Sequence, residues 1–108
     1  MNALTDFTAR TTRVRGLKAR PSQFGSHPPA WWLGRREIAH AHRGHIELRL
    51  TRKVMSRMRE ELAADARVDY RRPGSDWLRL QLRTSADVDL AMQLLPLAVR
   101  ANRVMRLR

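Results

Sequence analysis

His40 and His42 lie two residues apart in the run Arg36-Glu37-Ile38-Ala39-His40-Ala41-His42. On a strand, positions i and i+2 share a face, so this spacing offers two imidazoles to one ligand. Imidazole titrates near neutral pH and can move a proton or ligate a metal. A metal needs a third donor, and His45, Glu37, Glu47 and Asp76 are the nearest in sequence. A regular strand turns Glu37 to the opposite face and His45 lies across the next turn. No HExxH or other spaced zinc motif occurs. No metal and no cofactor is therefore expected. The commoner use of such histidines is packing beside Ile38 with hydrogen-bonded rings.

Trp77 follows Asp76 at the start of an alternating run, with Arg79 two residues on. A tryptophan there either closes the edge of a core or offers a stacking platform to a planar ligand, with Arg79 or Arg49 pairing to an anion. His40, His42, Trp77, Arg49 and Arg79 are thus the candidate ligand-binding residues. Trp31 and Trp32 are adjacent, so only one of them can face inward from a strand. Nothing else in the chain suggests a reaction. Its serines lack a Gly-x-Ser-x-Gly setting, its glycines are isolated, and cysteine is absent. No catalytic residue is assigned.

The elements that must hold these side chains are legible as periodicities. Arg36 to His42 alternates, with Arg36, Ile38, His40 and His42 on one side and Glu37, Ala39 and Ala41 on the other. After Arg43-Gly44, His45 to Leu50 alternates again, which reads as a hairpin. Thr51 to Ala64 switches to helical spacing, with Val54, Met55, Met58 and Leu62 as the buried stripe and Thr51 as its cap. Ala66 to Tyr70 is a short strand candidate, Pro73-Gly74 a turn, and Asp76 to Arg83 a strand with Leu78, Leu80 and Leu82 on one side. Ser85 to Asn102 is a helix capped by Ser85, bent at Pro96, with Val88, Ala91, Met92, Leu95, Ala98 and Val99 inward. The expected fold is α+β: an antiparallel sheet of about four to five strands with two main helices packed on one face. The domain spans 30–108. Residues 1–29 form an N-terminal arm and loop, with a short helix suggested by Leu4, Phe7, Val14 and Leu17. The other sheet face is left open, carrying Trp77, Arg79, Gln81 and Arg83 beside His45, Glu47 and Arg49.

Several of these runs resemble a known family. Gly34-Arg35-Arg36-Glu37-Ile38-Ala39-His40-Ala41-His42 is similar to the opening signature of the luciferase-like family of small domains. Ile46-Glu47-Leu48-Arg49-Leu50, Ser75-Asp76-Trp77-Leu78 and Ala86-Asp87-Val88 follow in the family's order, so the likeness covers about residues 30–102. The family's many bacterial members are uncharacterised. Its fungal relatives are larger luciferases that oxidise a hispidin-type luciferin with oxygen. The resemblance implies the shared domain; for a chain of this length it implies a small ligand-binding domain rather than light emission.

Composition bounds the alternatives. The chain has 108 residues, with 22 Lys+Arg against 10 Asp+Glu, for a formal charge of +12. Such a surface attracts polyanions, and Arg71, Arg72, Arg79 and Arg83 are the candidate nucleic-acid contacts. All the basic residues but Lys18 and Lys53 are arginines, scattered rather than in a run, as GC-rich coding also produces. No apolar run approaches the ~20 residues of a membrane span, and Met1 to Arg10 has no apolar leader, so a cytoplasmic, non-membrane protein is expected. The readings are a domain binding a planar or anionic small molecule, a nucleic-acid or other polyanion binder, and a protein-interaction subunit docking through an exposed sheet edge or an arginine-rich face.

Overall fold

Short alternating runs joined by tight turns can bury their leucines only by pairing, and they do so in one sheet. The computed structural model describes residues 2–25, 29–69 and 74–103. In chain order the elements are α1 (Ala3–Thr11), β1 (Leu17–Arg20), β2 (Ala30–Leu33), β3 (Arg36–His42), β4 (His45–Leu48), α2 (Arg52–Arg57), α3 (Arg59–Ala63), β5 (Val68–Asp69), β6 (Leu78–Gln81) and α4 (Ser85–Ala101). The strands run β1-β2-β3-β4-β6-β5, every neighbouring pair antiparallel. The α+β class and antiparallel sheet are as expected, with six strands rather than four or five.

Residues 3–20 supply α1 and the edge strand β1 to this sheet. A nine-residue helix is marginal alone, and here its Phe7 is fully buried, edge-to-face with Trp31 at 5.1 Å. Trp31 Nε1 donates to Thr11 Oγ1 at 3.0 Å. Trp31 is thus the inward member of the tryptophan pair, while Trp32 stays half-buried and donates to the Pro21 carbonyl.

The core lies on one side of the sheet. Ile46, Leu48, Leu78 and Leu80 point into it as their alternation requires, against Val88, Ala91, Leu95 and Ala98 of α4. The cap of α4 is Thr84 rather than Ser85: Thr84 Oγ1 accepts from Asp87 N, and the Asp87 carboxylate accepts from Thr84 N. Burial pushes the Asp87 carboxyl up, but bonds from Arg83 N, Gln81 Nε2 and the Thr84 groups outweigh it and hold the carboxyl below its ordinary value. The helix continues as one element through Pro96. The 51–64 stripe instead lies on two helices, interrupted at Met58 (φ −107°, ψ 18°) with no glycine or proline to mark the break. Met55 and Leu62 still reach the core.

β3 departs from its pattern. Trp31 pairs with Ala39 while Trp32 pairs with Glu37, so Ile38 is an extra residue opposite the junction. A bulge of this kind breaks the alternation. Ile38 and its neighbour Ala39 both enter the core, fully buried. Before the bulge the phase reverses, and Glu37 comes round to the side of His40. The expected grouping of Ile38 with the histidines, and of Glu37 opposite them, is corrected by this single inserted residue.

Candidate functional site

Pairing across β3, β4 and β6 lays down a row of polar residues on the face away from the core. His40 is directly opposite Glu47, and Glu47 is directly opposite Arg79. Such cross-strand neighbours have Cβ atoms only ~5 Å apart, so their side chains meet. His40 Nε2 lies 3.0 Å from Glu47 Oε1, and Arg79 Nε and Nη2 donate to Glu47 Oε2 at 3.2 and 3.1 Å.

Glu37 completes the row from beneath. Its carboxylate is buried and accepts from Ser22 Oγ at 2.7 Å and Gln23 N at 2.8 Å. It also lies 2.9 Å from His40 Nδ1. Both ring nitrogens of His40 therefore face carboxylate oxygens. A neutral imidazole carries one N–H and can donate to only one of them. The Ser22 hydroxyl also accepts from Phe24 N at 3.1 Å. Glu37 thus orients the imidazole and anchors the 21–25 loop at once.

That loop brings Phe24 over the row. Its ring is 5.4 Å from His40 and 5.8 Å from Trp77, while Trp77 and His40 are 4.7 Å apart between centroids. Ser75 Oγ accepts from Trp77 N at 3.0 Å and sets the indole at the rim. Phe24, His40, His42, Glu47, Ser75, Trp77 and Arg79 enclose an open cavity of about 290 Å³. Phe24 is 58% exposed, the large hydrophobic side chain most open to solvent among the described residues.

His42 stands beside this arrangement, 5.0 Å from His40 between ring centroids. Its Nε2 atom is buried without a hydrogen-bond partner, 3.7 Å from Glu47 Oε2. Burial pushes the His42 imidazole below its ordinary value, partly offset by Glu47, with His40, Arg79 and His45 adding to the lowering. The Glu47 carboxyl is also held low, chiefly by its bond to His40 and against the effect of burial. One donor atom from each of His40, His42 and Glu47 lies within 4.8 Å of the others.

Of the five residues singled out from sequence, four line the cavity: His40, His42, Trp77 and Arg79. Arg49 does not. Its guanidinium bonds Asn102 Oδ1 and, at 3.0 Å, Asp76 Oδ2, which ties the end of β4 to the end of α4. Among the nucleic-acid candidates, Arg79 is engaged by Glu47, Arg83 is exposed beside the Gly44 turn, and Arg71 and Arg72 lie outside the described residues. Residue spacing gives no signal for Phe24 or Ser75 as contacts, and it offers Glu37 and Glu47 only as possible third metal donors. Phe24 sits in a Pro/Gly loop with no periodicity to read, and Glu37 was displaced by the bulge. His45, a sequence-near donor, contacts the Arg43 carbonyl instead.

A family model described as Luciferase domain matches residues 35–98, a stretch that includes β3, β4, β6 and most of α4. No curated protein and no solved structure matches the chain.

Proposed function

The chain belongs to the Luciferase domain family, and from that premise we propose that it binds a planar small molecule in the open cavity that Phe24, His40 and Trp77 border. The observation that carries this reading is the lining itself. Two aromatic rings, Phe24 and Trp77, stand at right angles at the rim over a polar floor of His40, Glu47 and Arg79. Concave sites with apolar walls and a few convergent polar groups are the usual form of small-molecule pockets. A volume of about 290 Å³ suits one or two fused rings rather than a large cofactor. Arg79 is already paired with Glu47, so the site favours a neutral ligand over a polyanion.

The test is a panel of planar aromatic acids and phenols followed by amide chemical shifts of the labelled protein. Shifts centred on Phe24, His40 and Trp77 are expected, with binding at least tenfold weaker in Trp77→Ala. Shifts elsewhere, or equal binding by Trp77→Ala, overturn the reading. A parallel arm uses generic duplex DNA at two salt concentrations. Tight, salt-sensitive binding that is indifferent to Trp77→Ala, in a protein that ignores the aromatic panel, assigns the basic surface to a polyanion instead.

A further inference from the structure

We propose that His40, His42 and Glu47 together form a binding site for a divalent first-row transition-metal ion. The site shares the cavity assigned above to a planar ligand, but it needs no organic ligand to be occupied. It goes beyond the reading by residue spacing, which contains no metal motif.

Four observations converge. The donor atoms of the three side chains already gather within 4.8 Å of one another. Tetrahedral donors at ~2.0–2.2 Å from an ion sit about 3.5 Å apart, so a closure of about 1 Å is required. His42, a half-exposed side chain at the strand end, can supply that closure by rotating about its side-chain bonds.

The second observation is polar satisfaction. His42 Nε2 is buried with no hydrogen-bond partner, and a buried nitrogen left so is costly. His40 Nε2 confronts a carboxylate oxygen at 3.0 Å while its other nitrogen is committed to Glu37. A cation among these atoms satisfies both.

The third is the supporting shell. A metal-bound histidine commonly donates its remaining N–H to a carboxylate, which fixes the tautomer and ring orientation. Glu37 stands in that position on His40 Nδ1, itself pinned by Ser22 and Gln23. Arg79 holds Glu47 by Oε2, leaving Oε1 directed at His40.

The fourth is the donor chemistry. Two imidazoles and one carboxylate suit Zn²⁺, Co²⁺ or Fe²⁺, whereas Mg²⁺ and Ca²⁺ take oxygen ligands. Three protein ligands leave a coordination position open, here toward the cavity where a water or ligand atom can sit. Glu37 and Glu47 against Arg79 leave the immediate surroundings net negative before an ion enters.

The test is titration of the untagged, metal-stripped full chain with Co²⁺, followed by its visible absorption, and with Zn²⁺ by calorimetry. One ion per chain is expected, with an intense low-coordinate cobalt spectrum and no comparable binding of Mg²⁺. His42→Ala and His42→Gln are each expected to lose at least a hundredfold in affinity. Glu37→Gln is expected to lose tenfold to a hundredfold, and His45→Ala nothing. Thermal melts identify any variant that fails to fold; His42 is half-exposed, so its variants are expected to fold. Absence of a cobalt spectrum in the parent protein, binding untouched in both His42 variants, or equal binding of Mg²⁺ overturns the proposal. The aromatic panel run on His42→Gln separates the two readings: ligand binding retained without metal binding leaves the pocket intact, and metal binding retained in Trp77→Ala leaves the metal site intact.

Discussion

Glu47 and Arg49 are two residues apart near the end of one strand, and their surroundings differ in kind. Around Arg49 every polar group in view is answered. The guanidinium bonds Asp76 and Asn102, Asn102 Nδ2 donates to the carbonyls of Arg49 and Ala98, and Asp76 Oδ1 accepts from Arg52 N. Around Glu47 the groups border a cavity, His42 Nε2 has no hydrogen-bond partner, and His40 meets carboxylates on both sides. A closed polar cluster is a joint: it fixes one element against another. An open one holds unused bonding capacity, which is what a ligand or ion consumes.

The sharpest way to break the comparison is to cut the joint. Asn102→Ala removes two donations from a fully buried amide and leaves Arg49 short of a partner. It is expected to cost about 3 kcal/mol, read as a lower urea midpoint, while shifts on adding the aromatic panel stay at Phe24, His40 and Trp77. A loss below about 0.5 kcal/mol would show that Arg49 and Asn102 do not hold β4 to α4.

A smaller effect distinguishes the clusters by pH. The folded His42 imidazole sits below its ordinary value of 6.5, so the unfolded chain takes up this proton first as pH falls. Stability is therefore fully present above about pH 6.5 and declines as pH drops toward the folded value. The Glu47 carboxyl is also depressed, so its contribution is present above the ordinary carboxylate range and lost as pH falls through its folded value. Urea midpoints from pH 8 to about pH 3 should fall in two stages, the lower one beginning only below about pH 4.5, and His42→Gln should remove the upper stage alone. An unchanged upper stage would dissociate His42 from this linkage.

The smallest change is expected beside the joint. Thr51 caps α2 with φ +74°, a conformation β-branched residues rarely adopt, and its N–H is held by the Asp76 carbonyl. Thr51→Gly relieves strain of order 1–3 kcal/mol but gives up the side-chain cap and raises unfolded-chain entropy. A net stabilisation of about 1 kcal/mol or less is expected. Clear destabilisation would mean that the cap outweighs the strain.

Much of this molecule is written locally. Alternation determined that Ile46, Leu48, Leu78 and Leu80 face the core, and the i, i+2 spacing put His40 and His42 on one side, because strand and side-chain periods depend only on nearest neighbours. The resemblance carried by residues 34–42, 46–50 and 75–78 led to the family that residues 35–98 match. Tertiary structure decided the rest. The bulge at Ile38 exists only through pairing with β2, and it alone carries Glu37 to His40. Register between strands decided that Glu47 meets His40 and Arg79, and packing of α4 drew Arg49 into a joint. A loop with no period of its own placed Phe24. Period-two patterning says which way a side chain points, whereas hydrogen-bond register and long-range closure choose what it meets.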